Sequence, residues 1–590
     1  MKKYPEWNLD DLYESINDPK ISNDFERIKK EAQIFENKFR GNMDEKTSAS
    51  EILERIKLYE KIKKESDKIL TFAYLSFCTN NDNPEAGSFW QIQLSNNIAI
   101  SNSLIFFDLE LSKISDDKLK KLAQDKLLKN YKKYLQIIAS WKPHRLSEKE
   151  EKIINEKKIT GALAFSRFFE QEHSRKEYDF NYKGKKEKLN QSQILSKLYS
   201  SDRNERKKAV QILTDGLSDN LKMSTYVYNM IIQDKIVDDR YMNFTYPEES
   251  RHKENEIDRK SVDVMAQVIS DNYSIVSKFY NHKKKLIKQK ELFDCDRYAP
   301  VEKSKAKFSL QEAKKIILDS FGKFSPEFKN NAEDFFKNKW IDFTPRKGKR
   351  GGAFCHYATP DLHPYIFVNY DNNIENVLTL AHELGHGVNA CLARKQSYLN
   401  FDWPLTIAET ASVFAELLVF DSLKSKAKDK KEEISLHTTM IERIFSTVFR
   451  QNAMFLFERD VFSLAREKGE LSEKEFSNIW RKRQKEMFGN SVELTENYDI
   501  WWSYIPHFIN KPFYVYAYSF GELLSLSLYV MYKKDGNEFV EKYLNILESG
   551  GSKNPQELFS VLGIDFSKKE FWENGMRLIK DLVDEFESFS

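Results

Sequence analysis

The sequence predicts a mainly α-helical protein of at least two lobes, interrupted by one small β-hairpin. Three observations carry this. The chain is 590 residues long, more than one compact core organises. It holds only 19 glycines and 14 prolines. Apolar residues recur at three- and four-residue spacing over long stretches, as around Ile52 to Phe77 and Ile434 to Leu464, which is the signature of helices with one buried face. A change of composition at SQILSKLYSSDRNERKKAV, near residue 200, sets the expected boundary: an N-terminal helical lobe over 1–195 and a second domain over 196–590.

The helical pattern breaks between Thr344 and Tyr370, in TPRKGKRGGAFCHYATPDLHPYIFVNY. Ala353 to Ala358 and Tyr365 to Tyr370 are rich in aromatic and β-branched residues and read as strands, with TPDLHP as the turn between them. A helix follows in DNNIENVLTLAHELGHGVNACLARKQ. Asp371, Asn372 and Asn373 offer N-caps, and Glu375 places a negative charge in the first turn. LTIAETASVFAELLVF predicts a second, amphipathic helix, and the segment WWSYIPHFINKPFYVYAYSFGELL is unusually aromatic.

Composition narrows the function classes. No stretch approaches the roughly 18 apolar residues that span a bilayer, and the opening MKKYPEWNLDDLYESI has no apolar segment behind its lysines, so neither a membrane partner nor a signal peptide is expected. Lys and Arg number 94 against 91 Asp and Glu. Runs such as Lys283-Lys284-Lys285 and the KSKAKDKKEE stretch near Lys424 sit among acids and read as solvated helix faces, not as a nucleic-acid surface. The four cysteines, Cys78, Cys295, Cys355 and Cys391, are far apart, which suits a reducing cytoplasm.

The chemistry concentrates in His382-Glu383-Leu384-Gly385-His386. On a helix, His382 and His386 lie one turn apart on one face and can bind one metal ion, while Glu383 reaches a water on that metal. Gly385 and Gly387 each cost about 1 kcal/mol inside a helix relative to alanine, so close backbone approach is expected there. A catalytic zinc site wants a third protein ligand and an open position. The pattern HExxHxxGxxH is excluded, because Asn389 and Leu392 occupy its later positions. Glu409 and Glu416, seven apart with Ser412 between them, share a face of an otherwise apolar helix, and burying an unpaired carboxylate is costly. A metal or cation partner is therefore expected for them.

In these residues the chain resembles the thimet oligopeptidase-type metallopeptidases, and within them the oligoendopeptidase F branch. The likeness covers nearly the whole chain: WNLDDLY at the start, LSEKEEKIINEKKITG, the hairpin with GGAF, HELGH followed by ETASVFAE, and IPHF…FYVYAYSFGELL. The resemblance implies a two-lobed helical fold around a deep channel with a small sheet beside the metal. It implies one zinc per chain on His382, His386 and Glu409, with Glu383 as general base and proton shuttle and Glu416 supporting the ligands from behind. It further implies that His507 and a tyrosine, Tyr516 with Tyr514 in reserve, stabilise the oxyanion.

The expected activity is hydrolysis of internal bonds in short, unfolded oligopeptides. The hairpin suggests how they bind, since an edge strand pairs with an extended peptide through main-chain hydrogen bonds, and Gly352, Ala353 and Phe354 would lie along it. His356 and His363 read as structural. A carboxypeptidase of the same zinc chemistry is the alternative, and it would need Arg346, Lys347, Lys349 or Arg350 to hold the terminal carboxylate. A catalytically silent peptide-binding module is disfavoured by the intact HELGH and Glu409.

Overall fold

The computed structural model describes residues 4–302 and 306–589; Lys2 and Lys3 lie outside them. Helices carry most of the chain, from Pro19–Phe39 to Lys569–Glu587, as expected. Their ends follow local rules. The helix Ala49–Thr79 opens on a capping box, in which Glu51 N donates to the Ser48 hydroxyl and Ser48 N donates to the Glu51 carboxylate, satisfying two otherwise orphaned donors. Its buried positions, Ile52, Ile56, Tyr59, Ile62, Ile69 and Phe72, follow the three- and four-residue spacing of the sequence. The second predicted helical stretch is two helices, Lys430–Thr447 and Phe449–Lys468, broken at Val448. No described helix is long and apolar enough to cross a membrane.

Five short strands interrupt the helices among the described residues. β1 (Tyr178–Tyr182) and β2 (Lys185–Leu189) form a hairpin that the sequence reading missed. Its signal was available: Tyr178, Phe180 and Tyr182 alternate, and Lys183-Gly184 both take positive φ, 47° and 80°, as a two-residue hairpin turn requires. β4 (Phe354–His356) and β5 (Tyr365–Phe367) are the expected hairpin, with β4 shorter at both ends and β5 shorter at its C-terminal end, in the register Phe354↔Phe367, Cys355↔Ile366 and His356↔Tyr365. β3 (Ile341–Asp342) adds in parallel on the other side of β5, so β4 is an edge strand.

The apolar residues fall into two cores. One runs from Leu12 to Ile138, the other from Phe169 to Phe586. The cores therefore divide between Ile138 and Phe169, ahead of the 195/196 boundary, because Phe169, Tyr178, Phe180, Leu189 and Ile194 pack into the second core around the helix Arg203–Tyr241. β5 lies where the two meet: Tyr365 faces the first core and Ile366 the second, as alternating strand residues must. This places the edge strand β4 at the junction of the lobes. The four cysteines are free. Lys283 departs from the solvated-face reading, since it is fully buried and its Nζ donates to the Arg297 carbonyl at 2.6 Å and to Glu442.

Candidate metal and catalytic site

The HELGH residues sit in the helix Ile374–Ala393. Of the three capping candidates, Asn373 is the N-cap, its side chain accepting from Asn376 N at 2.8 Å. Asn372 takes φ of 60° in the turn before it. The glycines act as expected. A Cβ on Gly385 would stand 2.5 Å from the Ala411 carbonyl oxygen and 2.6 Å from Ser412 Cα, and one on Gly387 would strike the Phe335 ring at 2.5 Å. Gly385 thus lets this helix lie against the segment that carries Glu409 and Glu416.

That segment is not one amphipathic helix. A single turn, Leu405–Ala408, ends at Glu409, and a second helix, Thr410–Lys424, begins after it. The second helix is buried almost all round, which explains its continuous apolar character. The break turns Glu409 towards the histidines. Glu409 Oε2 lies 3.2 Å from His382 Nε2 and 3.3 Å from His386 Nε2. One ligand atom from each of the three residues falls within 4.8 Å of the others, the sole such His, Cys, Asp or Glu cluster among the described residues.

The outward nitrogens also have neighbours. His386 Nδ1 is 3.3 Å from the Tyr357 hydroxyl, and His382 Nδ1 is 3.3 Å from Glu416 Oε2. Arg443 grips Glu416 with two contacts, Nε to Oε1 at 2.8 Å and Nη2 to Oε2 at 3.0 Å. Ser412 Oγ donates to Glu409 Oε2 at 2.8 Å. His386 is met from behind by the Tyr357 hydroxyl and His382 Nδ1 has the Glu416 carboxylate close by without a hydrogen bond, while both Nε2 atoms face a common point, an arrangement that suits a divalent cation taking nitrogen and oxygen ligands. Burial alone would push Glu409 up, but the two imidazoles hold it well below the ordinary carboxylate range. Burial would lower His382, yet Glu409 and Glu416 hold it well above its usual value. Glu383 is only 6% exposed, and burial raises its pKa against the pull of the histidines. Glu522, raised to about 8 by burial and by the charge of Glu416, stands behind the same group.

His507 and the tyrosines come from the helix Pro506–Asn510 and the start of Tyr516–Asp535. The structure separates the tyrosines. Tyr516 is fully buried away from the cluster: its hydroxyl accepts from Asn255 Nδ2 at 2.9 Å and faces the Arg251 carbonyl at 3.5 Å. The tyrosine whose hydroxyl lies beside His507 is instead Tyr518, 3.4 Å from His507 Nε2. Burial, Tyr514 and the charge of Glu409 all raise the Tyr518 pKa. Tyr514 stacks on His507 with ring centroids 5.9 Å apart and packs edge-on against Tyr518 at 5.0 Å. Tyr514 lies in the turn after Phe513, whose φ is 59°, and Tyr518 in the first turn of the helix Tyr516–Asp535, and both meet His507 while Tyr516 points elsewhere.

In the hairpin, Gly351 and Gly352 are exposed with open space around them, while Ala353 and Phe354 are half-buried. The Gly352 carbonyl accepts from Asn369 Nδ2 at 3.0 Å. His356 meets Thr71 Oγ1 at 3.0 Å and His363 meets Asp11 at 2.7 Å, the structural roles expected. Three of the four proposed carboxylate anchors are engaged elsewhere: Arg346 and Lys349 on Asp342, and Arg350 on the Tyr74 hydroxyl. Four residues near the cluster escaped sequence reasoning: Tyr357, Arg443, Tyr518 as the tyrosine at His507, and Glu522.

Fold and site define a peptidase of mainly helical build. The chain belongs to peptidase family M3: the model of Peptidase family M3 matches residues 196–578, and that of Oligopeptidase F matches residues 110–176. It is 26% identical to the oligopeptidase PepF of Bacillus subtilis (strain 168), over 98% of this chain and 86% of that one. It is 27% identical to an oligoendopeptidase F homolog of Borreliella burgdorferi, over 90% of each. Among solved structures, the oligoendopeptidase-F of Enterococcus faecium superposes with a TM-score of 0.74 at 20% identity, over 97% of this chain and 98% of that one. A peptidase-like chain from Chlamydophila abortus reaches 0.84 at 22% identity, over 99% and 98%.

Proposed function

We propose that this chain is a zinc-dependent endopeptidase that hydrolyses internal bonds of short, unfolded oligopeptides. The observation that carries the reading is the convergence of His382 Nε2 and His386 Nε2 on Glu409 Oε2, with Glu383 on the same helix turn as His382. Zinc held by these three residues supplies a Lewis acid that brings the pKa of a water towards about 7.

The chain's own residues perform the rest. Glu383 accepts the proton of the attacking water and returns it to the departing amine. Tyr518, whose pKa is raised, stays protonated and donates its hydroxyl to the oxyanion that develops on the scissile carbonyl. His507, whose pKa burial and the neighbouring Arg450 depress, is neutral near pH 7 and donates beside it. Glu416, anchored by Arg443, fixes the His382 ring. The exposed edge of β4, reached past Gly351 and Gly352, offers main-chain groups to an extended peptide. The four free cysteines suit a reducing cytoplasm.

A peptide blocked at both termini should be cut internally, as read by mass spectrometry of the products. A chelator should stop cleavage and one equivalent of zinc should restore it. Failure to cut blocked peptides while free ones are trimmed from the C-terminus would favour the carboxypeptidase alternative. The oxyanion assignment has its own check. Tyr518→Phe should lower kcat about a hundredfold. Tyr516→Phe should leave kcat near that of the wild type and cost about 1 kcal/mol of stability through its lost hydrogen bond to Asn255. The reverse order of the two rates would overturn the assignment.

A further inference from the structure

A cavity of about 760 Å³ opens between the helix Ala49–Thr79 of the first core and the edge strand β4, a size that suits a ligand site. Asp67, Tyr74, Trp90, Tyr357, Tyr398 and Asp402 stand in its walls. Three contacts join it to the metal cluster. The Tyr357 hydroxyl lies 3.3 Å from His386 Nδ1. The Tyr357 ring packs edge-on against Trp403 with centroids 5.7 Å apart. Trp403 N donates to Asp402 Oδ1 at 2.9 Å. Tyr357 is thus a wall of the cavity and a neighbour of a candidate metal ligand at once. It directly follows β4, whose Cys355 and His356 also line the cavity, so a peptide laid along that edge passes from the metal cluster to the cavity.

The charge of these walls has one sign. No lysine or arginine lines the cavity. Its one histidine, His356, meets Thr71 Oγ1 at 3.0 Å, and burial lowers its pKa to about 4, so it is neutral near pH 7. Arg350 bonds to the Tyr74 hydroxyl but is not among the lining residues. Asp67 accepts from the Tyr398 hydroxyl and from Asn97 Nδ2, both neutral donors. Asp402 accepts only from Trp403 N, and its side chain is open to the cavity although it lies deep enough for burial to raise its pKa. Among the described residues no Lys or Arg pairs with either acid. Carboxylates in so enclosed a place are costly until a cation meets them. The aromatic walls favour the same sign of charge. Tyr74 and Trp90 have ring centroids 5.3 Å apart, and with Tyr357 and Tyr398 they offer ring faces that attract a cation.

We propose that this cavity is a specificity subsite that takes the cationic side chain of a lysine or arginine near the scissile bond of the peptide, with Asp402 as its principal carboxylate. This rests on the peptidase reading above and deepens it by naming a class of preferred substrate. Asp402 carries the larger part because Asp67 is already engaged by two donors. A side chain is the occupant, because side chains of an extended peptide stand out to alternate sides of its backbone and one of them is delivered into a cavity beside the strand. The free amino group of a peptide has the same charge, and the experiment separates the two sources.

The test uses end-blocked peptides of one sequence in which arginine, or its uncharged isostere citrulline, occupies in turn each position around the bond that is cut. At one position the wild type should favour arginine by about tenfold or more in kcat/KM. Asp402→Asn keeps an acceptor for Trp403 N and should bring that ratio close to one, and Asp402→Glu should restore part of it. Equal cutting of the arginine and citrulline peptides at every position would overturn this inference and leave the endopeptidase reading standing. So would a ratio that Asp402→Asn leaves intact, or an Asp402→Asn protein that slows on both peptides by the same factor, because that marks a structural role. A parallel set with free amino termini identifies the source of the charge: a preference for the free terminus, without one for arginine, would put the amine in the cavity and overturn the assignment to a side chain. Failure of the wild type to cut any of the peptides would instead remove the endopeptidase reading and this one with it.

Discussion

The Glu383→Gln protein should fold and hold one zinc like the wild type, yet hydrolyse peptides about a hundred- to ten-thousandfold more slowly. The side chain is buried at 6% exposure beside His382 and His386, and glutamine fills nearly the same volume, so packing changes little. What changes is the proton. An amide cannot take one from the attacking water or return one to the leaving amine, and the lost rate corresponds to about 3–5 kcal/mol of transition-state stabilisation. The measurement is kcat on an internally quenched peptide, with zinc content and thermal midpoint as controls. Hydrolysis within severalfold of the wild type would remove Glu383 from the mechanism. A protein that lost its zinc as well would show that the substitution disturbs the ligands and not only the base.

Much of this site was legible in the sequence because it is local. His382, Glu383 and His386 lie on one helix, and the Asn373 cap and Glu375 charge that start it stand in the same short stretch of sequence. Glu409 was legible for a different reason: an acid in an apolar stretch needs a partner. What the helical pattern could not give is the break at Glu409, because Ala408 and Thr410 continue the same periodicity while the chain turns between them. Residues such as Tyr357, Arg443 and Arg450 were out of reach. Each is a single side chain delivered from a separate element, and nothing in its own neighbourhood distinguishes it from an ordinary core or surface residue. Tyr516 and Tyr518 mark an intermediate case. Both lie in the same aromatic run, and which of them meets His507 depends on the turn at Phe513, φ 59°, that leads into the helix Tyr516–Asp535. β3 fails for length, since two residues have no period, and its place is set by its partner Ile366. The lobe boundary near residue 200 followed composition, whereas the packing of Phe169, Tyr178 and Ile194 on the long helix that follows decides where the cores divide.

Glu409 and Glu416 test whether the two acids of one stretch do different work, as their surroundings require. Glu409→Gln should lower zinc affinity by more than about a hundredfold and take activity with it, because a weakly donating amide replaces one of three ligand groups at the point where His382 Nε2 and His386 Nε2 converge. Glu416→Gln removes no ligand. It leaves an acceptor near His382 Nδ1 but withdraws the charge that supports that ring, so a ten- to a hundredfold loss of affinity is expected. It also leaves Arg443 without its carboxylate. Because the Arg443 side chain is 31% exposed, water screens the orphaned charge and the cost is about 1–2 kcal/mol, below that of a fully buried pair. Competition titrations with a chromophoric chelator give the affinities, and thermal melting of the zinc-free proteins gives the stabilities. The two variants should separate in opposite senses, Glu409→Gln weaker for zinc and Glu416→Gln weaker in the fold. The reverse pattern would exchange the roles of the two carboxylates, and equal zinc loss from both would mean that the site is a network in which ligand and support cannot be told apart by charge alone.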